Sequence, residues 1–280
     1  MSRRTGFTLI EVLASIFAFA LSATLMVPLA RSRELARRSS CATNCSNIGK
    51  GLAMYTSATQ DQWPWLTSSN EWSAATGAGQ TKAPSAKTNY NVSALLFMLI
   101  RDGQAPGIFI CPSTKDAPDG HIKTKDRKYH WDFSPYADGN AEHVSYSYQA
   151  PRTNGRNWRS GVTGASDSGL IILADRTPAY DGLKPDFNWA KPGKADPNTG
   201  MSQNHRGEYI NLLYADTHVG NSTRADEGID KDNIYSCAGL GADGKPLATS
   251  QGPGTLKLSE HRSETDSFLM GPKKMGKPAK

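Results

Sequence analysis

The sequence predicts an α+β fold in which a long N-terminal helix packs against a small antiparallel β-sheet domain with long loops. Residues 7–30 form an apolar run with a single charge, and a helical apolar periodicity continues to about Tyr55. The rest of the chain holds short strand-like runs separated by Gly, Pro, Asn and Asp. Few helical patterns separate these runs, so an antiparallel sheet is favoured over a parallel βαβ arrangement.

The apolar run is long enough to predict a transmembrane helix. At about 1.5 Å per residue, residues 7–30 would cross the ~30 Å hydrocarbon core of a bilayer. A secretory signal peptide is the alternative, but its apolar region usually holds only about 7–15 residues. Arg31 and Arg33 follow the run directly, which favours a retained helix behind a short basic leader, residues 1–6.

Two residues inside the run are unusual for a membrane helix. The Glu11 carboxylate lies one turn inside the run, where a charge is costly unless it is paired or held near the interface. An intramembrane charge of this kind indicates a functional site, with a plain signal anchor as the alternative. Pro28 cannot donate a backbone hydrogen bond, so a kink or local melting is expected near the far end of the run.

Residues 6–11, GFTLIE, resemble the N-terminal signature of type IV prepilins and type II secretion pseudopilins. The resemblance implies a pilin-like fold, cleavage between Gly6 and Phe7 by a membrane-embedded prepilin peptidase, and methylation of the new amine of Phe7. It also implies that Glu11 pairs with the N-terminal amine of a neighbouring subunit. Pro28 falls where many pilins also have a proline at which the helix bends or melts.

The same resemblance implies a structural subunit with no catalytic activity. Such a subunit would be a single-pass protein of the cytoplasmic membrane, with its N-terminus cytoplasmic and its body periplasmic or external. It would assemble with other pilin or pseudopilin subunits on a secretion or pilus assembly platform, forming a type II secretion pseudopilus or a type IV pilus-like filament. A surface-displayed binding module for a glycan or protein, with specificity in loops 67–88 and 180–200, is the alternative, and an anchored hydrolase is a third hypothesis.

Beyond the apolar run, residues 31–55 are predicted to continue the helix as an amphipathic segment, and residues 56–271 to form the globular domain. Residues 272–280 are predicted to be a disordered basic tail. Residues 91–101 fit either a short buried helix or a strand. The apolar face of the amphipathic segment recurs mostly at spacings of three and four and consists of Leu35, Cys41, Cys45, Ile48, Leu52 and Tyr55.

Short runs of apolar or alternating character predict the strands of the sheet. The run ending at Tyr214, a turn at Ala215 and Asp216, and the run beginning at Thr217 together predict a hairpin. The predicted strands cover residues 107–111, 143–148, 169–174, 208–214 and 217–220, with weaker signals at 233–236 and 267–270.

Residues 204–219 resemble the C-terminal domain of prepilin-like proteins from planctomycete-type bacteria, in which a histidine precedes an Asp-Gly pair by nine residues. Here ten residues separate His205 from Asp216, and Thr217 replaces the glycine, so a bulged hairpin is expected. His205, Asp216 and His218 would suit a two-His-one-carboxylate metal site if they converged. No nucleophile or H-E-x-x-H motif accompanies them, so a structural hydrogen-bonding role at the base of the hairpin is favoured over a catalytic metal site. The resemblance extends to residues 41–45, 109–113, 232–235 and 266–269.

The four cysteines are disulfide candidates, because an external body would lie in an oxidising compartment. Cys41 and Cys45 are one helical turn apart, so each is expected to pair with a segment of the body. The first hypothesis is Cys41 with Cys111 and Cys45 with Cys237, although free thiols buried between helix and sheet remain an alternative.

Charge and acidic residues suggest few further partners. The net charge of +6 includes leader and tail cations, and no basic stripe with interleaved aromatics occurs, so nucleic-acid binding is not predicted. No cofactor is predicted apart from calcium at Asp226, Asp230 and Asp232, which do not match the EF-hand spacing. A solvated acidic loop is the alternative.

Overall fold

A computed structural model describes residues 8–64, 92–134, 143–149, 152–153, 158–159, 162–176, 201–202, 204–229, 234–235, 267 and 269–270. These contain two α-helices, α1 (Leu9–Ala58) and α2 (Val92–Arg101). They also contain 3-10 helices at Pro106–Phe109, Thr124–Tyr129 and Asn204–Gly207. The strands are β1 (Tyr146–Gln149), β2 (Arg152–Thr153), β3 (Trp158–Arg159), β4 (Ile171–Asp175), β5 (Ile210–Tyr214), β6 (Val219–Ser222) and β7 (Leu269–Met270).

Five of the strands form one antiparallel sheet in the order β6-β5-β4-β1-β7, and β2 pairs with β3 in a separate ribbon. The central strands β1 and β4 are buried along their whole length. Successive residues of β5 point to opposite sides, so Leu213 joins the core under the helices and Leu212 a second core on the other face. The antiparallel α+β arrangement that the sequence predicts is confirmed.

The second half of α1 lies on β5 and β6. Its buried face repeats at spacings of four and three through Cys41, Cys45, Ile48 and Leu52, all of which are fully buried. Gly49 brings the helix close to the hairpin, because a Cβ built there would lie 2.9 Å from Leu213 Cδ1. The absence of a side chain at Gly49 therefore sets the helix–sheet distance.

The first half of α1 has its apolar side chains exposed, and the transmembrane prediction for residues 7–30 is wrong. Among the described residues, no helix has an apolar stretch that is long enough to cross a membrane. A single-pass anchor in the cytoplasmic membrane, with the body on the far side, is therefore not supported.

The structure also corrects or decides several local predictions. The face of α1 begins with Glu34, which is 7% exposed, whereas Leu35 is 57% exposed. Residues 107–111 lie partly in a 3-10 helix instead of a strand, because Pro106 starts the turn and cannot donate to a sheet. The backbone of α1 is helical across Pro28, so the local melting expected there does not occur. Of the two alternatives for residues 91–101, the helix is confirmed by α2, Val92–Arg101.

Candidate metal centre

Four buried side chains converge between α1 and the sheet: Cys41, Cys111, Asp175 and His205. Cys41 lies on the sheet-facing side of α1, and Asp175 is the last residue of β4. Cys111 follows the 3-10 helix that ends at Phe109, and His205 lies in the 3-10 turn before β5. Each offers one sulfur, oxygen or nitrogen atom, and these atoms all lie within 4.8 Å of one another.

The closest separations run between neighbouring members of this cluster. His205 Nε2 is 3.5 Å from Cys111 Sγ and 3.7 Å from Asp175 Oδ2. The Cys41 thiol donates to Asp175 Oδ1 at 3.3 Å, and its sulfur lies 3.1 Å from Tyr146 Oη. The two thiols, the imidazole and the carboxylate therefore surround one small volume.

The ring of His205 is fixed from its opposite side. Its Nδ1 lies 2.9 Å from Glu34 Oε1 and 2.9 Å from Ser113 Oγ, and Ser113 also donates to Glu34 at 2.9 Å. The Glu34 carboxylate accepts the Nδ1 proton, which leaves Nε2 directed at Cys111 and Asp175. Burial raises the pKa of Glu34, but the hydrogen bonds from His205 and Ser113 outweigh this effect and lower it.

The backbone at His205 is strained. His205 and Arg206 have φ values of 45° and 63°, in the left-handed region that residues other than glycine rarely adopt. Gly207 follows with φ of 73° and no such penalty. Strain of this kind persists only where the surroundings impose it, and it is common at functional sites.

The Asp175 carboxylate is held by the two asparagines that flank the His205 turn. Asn204 Nδ2 donates to Oδ1 at 2.9 Å, and the backbone amide of Asn211 donates to Oδ2 at 2.8 Å. Burial raises the pKa of Asp175 despite these bonds and despite the nearby His205. Among the described residues, His205 is the only cationic partner of this carboxylate.

The three described cysteines are buried free thiols, which is the alternative that the sequence left open to disulfides. Cys41 and Cys111 come together as the first pairing hypothesis required, but no bond joins them. Cys45 lies in the same interface and is not part of the four-residue cluster. Cys237 lies outside the described residues. Burial raises the pKa of the Cys41 thiol well above its usual range.

The other histidine and carboxylate predicted to join His205 lie elsewhere. The imidazole of His218 stacks on Tyr214, with ring centroids 4.0 Å apart, and pairs with Asp216 on an exposed turn. Thr217 has φ of 71° in this turn, the left-handed position that a glycine would fill without strain. The described residues therefore give no convergence of His205, Asp216 and His218, so they form no two-His-one-carboxylate site.

The processing, assembly and calcium predictions are mostly untested. Gly6, Phe7, Asp230 and Asp232 lie outside the described residues, as do the side chain of Pro28 and loops 67–88 and 180–200. The Asp226 carboxylate is engaged by Arg224. Glu11 is exposed and forms a capping box with Thr8, whose backbone amide and hydroxyl donate to Glu11 Oε2 at 2.8 and 2.9 Å.

Sequence reasoning missed Asp175 and Glu34. Asp175 ends the apolar run of β4, and a carboxylate that ends a central strand is a recognisable signal for a site. Glu34 precedes Cys41 by seven residues, so it lies on the same helical face two turns earlier. Acidic side chains are usually exposed, so residue type alone does not indicate that these two are buried.

The fold and the cluster define an α+β protein whose N-terminal helix is joined to its sheet by a buried group of sulfur, nitrogen and oxygen donors. Searches with the sequence and the structure found no matching protein family, no matching characterised protein and no matching solved structure.

Proposed function

We propose that this protein is a prepilin-like structural subunit that assembles with copies of itself into a pseudopilus or pilus-like filament through the first half of α1. The observation that carries this proposal is the exposed apolar surface of that half. Leu9, Ile10, Phe17 and Phe19 are each more than 70% exposed. Contiguous apolar surface of this kind marks an interaction site.

The arrangement of these side chains favours burial by several helices at once. The exposed apolar residues cover one broad face of the helix. Ile10, Leu13, Phe17 and Leu21 follow one another at spacings of three and four, and Val12, Ile16 and Phe19 widen that face to more than half of the circumference. An apolar face of this width exceeds the stripe of about 100° with which a helix usually packs on a single core. Equivalent helices of neighbouring copies in a filament core would bury it from more than one side.

The resemblance of residues 6–11 to prepilins supports the same function and gives the chain a defined new end. Cleavage after Gly6 would leave Phe7 as the first residue, next to the Thr8 cap. The amine of a neighbouring copy would then meet Glu11, the only acidic residue in the first turn of α1. Glu11 would thus serve both the helix cap and the subunit contact.

The first test is mass spectrometry of the N-terminus of the full chain, produced in cells with a working prepilin peptidase and assembly apparatus. We expect the mature chain to begin at methylated Phe7 and to appear in the sheared filament fraction. A chain that still begins at Met1 or Ser2 in those cells would overturn the proposal.

The second test compares two exposed apolar residues of the same helix. Phe17→Glu places a charge in the proposed core and should reduce the filament fraction at least about tenfold, because a buried unpaired charge is strongly destabilising. Met54→Glu changes a residue that is 61% exposed beside the body and should leave assembly unchanged. Equal assembly of the two variants would contradict the proposal.

The third test separates the two roles of Glu11. Glu11→Gln retains the capping box, which accepts Glu or Gln, but removes the charge. Thr8→Ala removes the two hydrogen bonds of the Thr8 hydroxyl and keeps both the bond from its backbone amide and the charge of Glu11. Reduced filament formation in Glu11→Gln, with filament formation preserved in Thr8→Ala, is expected if the carboxylate pairs with an amine. The reverse result would show that Glu11 acts only as a helix cap.

A further inference from the structure

We propose that Cys41, Cys111, His205 and Asp175 bind one Zn²⁺ ion, which ties α1 to the body of the protein as a structural metal site. The proposal rests on the ligand set, its spacing, its burial and the support behind His205. It is independent of filament assembly.

The donor atoms suit zinc by type. Two thiolates, one imidazole nitrogen and one carboxylate oxygen are all ordinary zinc ligands, and sulfur with nitrogen donors disfavours Mg²⁺ and Ca²⁺. Four protein ligands leave no position for water, which is the arrangement of structural sites. The complete burial of Cys41, Cys111, Asp175 and His205 agrees with a closed site.

The spacing suits a tetrahedron. Zinc bonds of about 2.0–2.3 Å to these donors require ligand atoms about 3.3–3.8 Å apart. The separations of 3.5 Å between Cys111 Sγ and His205 Nε2, 3.7 Å between His205 Nε2 and Asp175 Oδ2, and 3.3 Å between Cys41 Sγ and Asp175 Oδ1 fall within that range. All four donor atoms lie within 4.8 Å of one another, so small side-chain adjustments, including the choice of one Asp175 oxygen, would bring them to ligand spacing.

The contacts of His205 match those of a metal ligand. A zinc-bound histidine usually donates the N–H of its second ring nitrogen to a hydrogen-bond acceptor such as a carboxylate. This bond fixes the orientation of the ring and raises the basicity of the nitrogen that binds the metal. Glu34 supplies that carboxylate at Nδ1, and Nε2 faces the two cysteines and Asp175. The left-handed φ of 45° at His205 indicates that its position is imposed by its surroundings.

The charge of the cluster is compatible with a divalent cation. Asp175 is fully buried, and a buried carboxylate is stabilised by pairing with a cation, a role that His205 fills here and that a metal ion would share. When Zn²⁺ binds, both thiols and Nε2 of the protonated His205 release their protons to solvent, and the two thiolates and the freed Nε2 lone pair bind the ion. The two thiolates, the carboxylate and the divalent ion then leave a net charge of −1, which the hydrogen bonds from Asn204 and Asn211 help to stabilise.

The test is metal analysis of the full chain, purified without a histidine tag and without chelators. We expect inductively coupled plasma mass spectrometry to find one zinc ion per chain. We also expect zinc affinity, measured by competition with a chromophoric chelator, to fall at least about tenfold in Cys111→Ser and His205→Gln. Glu34→Gln, which changes a positioning residue, should lower the affinity about 10–100-fold while the zinc stoichiometry at saturation is retained.

Two matched controls isolate the ligand set. Cys45→Ser removes a thiol that is equally buried and one turn away on α1, and His218→Ala removes a histidine outside the cluster. Both should retain wild-type zinc affinity. A loss in Cys45→Ser as large as in Cys111→Ser would overturn the assignment.

A measurement on the unaltered chain covers the possibility that the ligand variants do not fold. Removal of zinc by a strong chelator should lower Tm by about 5–10 °C, and added zinc should restore it. Substitution with Co²⁺ should give a thiolate-to-cobalt charge-transfer band. A chain that binds no zinc with its thiols reduced, or an isolated chain lighter by two hydrogens because Cys41 and Cys111 form a disulfide, would refute the proposal.

Discussion

The two halves of α1 belong to one continuous helix of 50 residues, yet they have opposite surroundings. The first half is apolar and exposed through residue 22, whereas the second half places Cys41, Cys45, Ile48 and Leu52 in the core of the body. Because both halves are helical, their different surroundings do not come from a difference in backbone structure. What differs is the partner: the second half has the sheet, and the first half has none within the described residues.

This difference separates two roles of an apolar side chain. On the second half it stabilises the folded subunit, because its burial occurs when the chain folds. On the first half it leaves the stability of the subunit unchanged and is available for association. Substitutions that are chemically alike should therefore have different effects in the two halves.

The largest expected effect is that of a leucine truncation on the buried half. Leu52→Ala should lower the free energy of unfolding by about 2–5 kcal/mol, because Leu52 is fully buried and leaves a cavity. Leu13→Ala, at a residue that is 57% exposed, should change it by no more than about 0.5 kcal/mol. Urea denaturation of the two variants measures the contrast, and equal losses would show that the first half also packs on the body.

A smaller effect is expected where the helix approaches the hairpin. Gly49→Ala gains helix propensity, but its methyl group would lie 2.9 Å from the buried Leu213 side chain, so we expect a net loss of about 1–2 kcal/mol. Gly51→Ala is the matched control, because its nearest atoms, 3.2 Å away, belong to the long flexible side chain of Gln104. Thermal unfolding should show Gly51→Ala to be neutral or stabilising, and a stabilised Gly49→Ala would contradict the tight contact.

The smallest effect is expected at Thr217, the residue of the hairpin turn that faces Gly49. Thr217→Gly should raise the free energy of unfolding by up to about 1 kcal/mol, since glycine relieves the φ of 71° at this turn. Thr223→Gly, on an exposed residue with no positive φ, should lower it slightly. Chemical denaturation of both variants checks the sign, and a destabilised Thr217→Gly would mean that packing of Thr217 against Gly49 outweighs the strain.

Periodic signals in the sequence predicted the parts of the fold that repeat. The spacing of Cys41, Cys45, Ile48 and Leu52 predicted the buried face of α1, and alternation predicted β5 and its hairpin. The transmembrane prediction rested on the length and apolar composition of residues 7–30, whereas no helix among the described residues is long and apolar enough to cross a membrane. The strand predicted at residues 107–111 is wrong, because a short apolar run does not distinguish a strand from a 3-10 turn that begins at Pro106.

The candidate site was less predictable than the fold. The four ligand candidates come from segments far apart in the chain, and spacing along a sequence cannot show which of them meet. His205 was singled out, but with the wrong partners, because Asp216 and His218 are close to it only in sequence. Cys41 and Cys111 lie close together but as free thiols instead of the disulfide that was the first hypothesis. The signal for Asp175, a carboxylate at the end of a buried strand, does not show which other residues it meets.

The distance along the chain between Glu34 and His205, 171 residues, has a consequence for synthesis on the ribosome. At about 5–20 residues per second, roughly 10–30 s pass between the emergence of the two residues. For most of that interval Cys41 has neither its histidine nor the strand that ends in Asp175. A newly made chain therefore carries an unprotected thiol until its later segments arrive, and the redox conditions along its route decide whether that thiol reaches the folded state unoxidised.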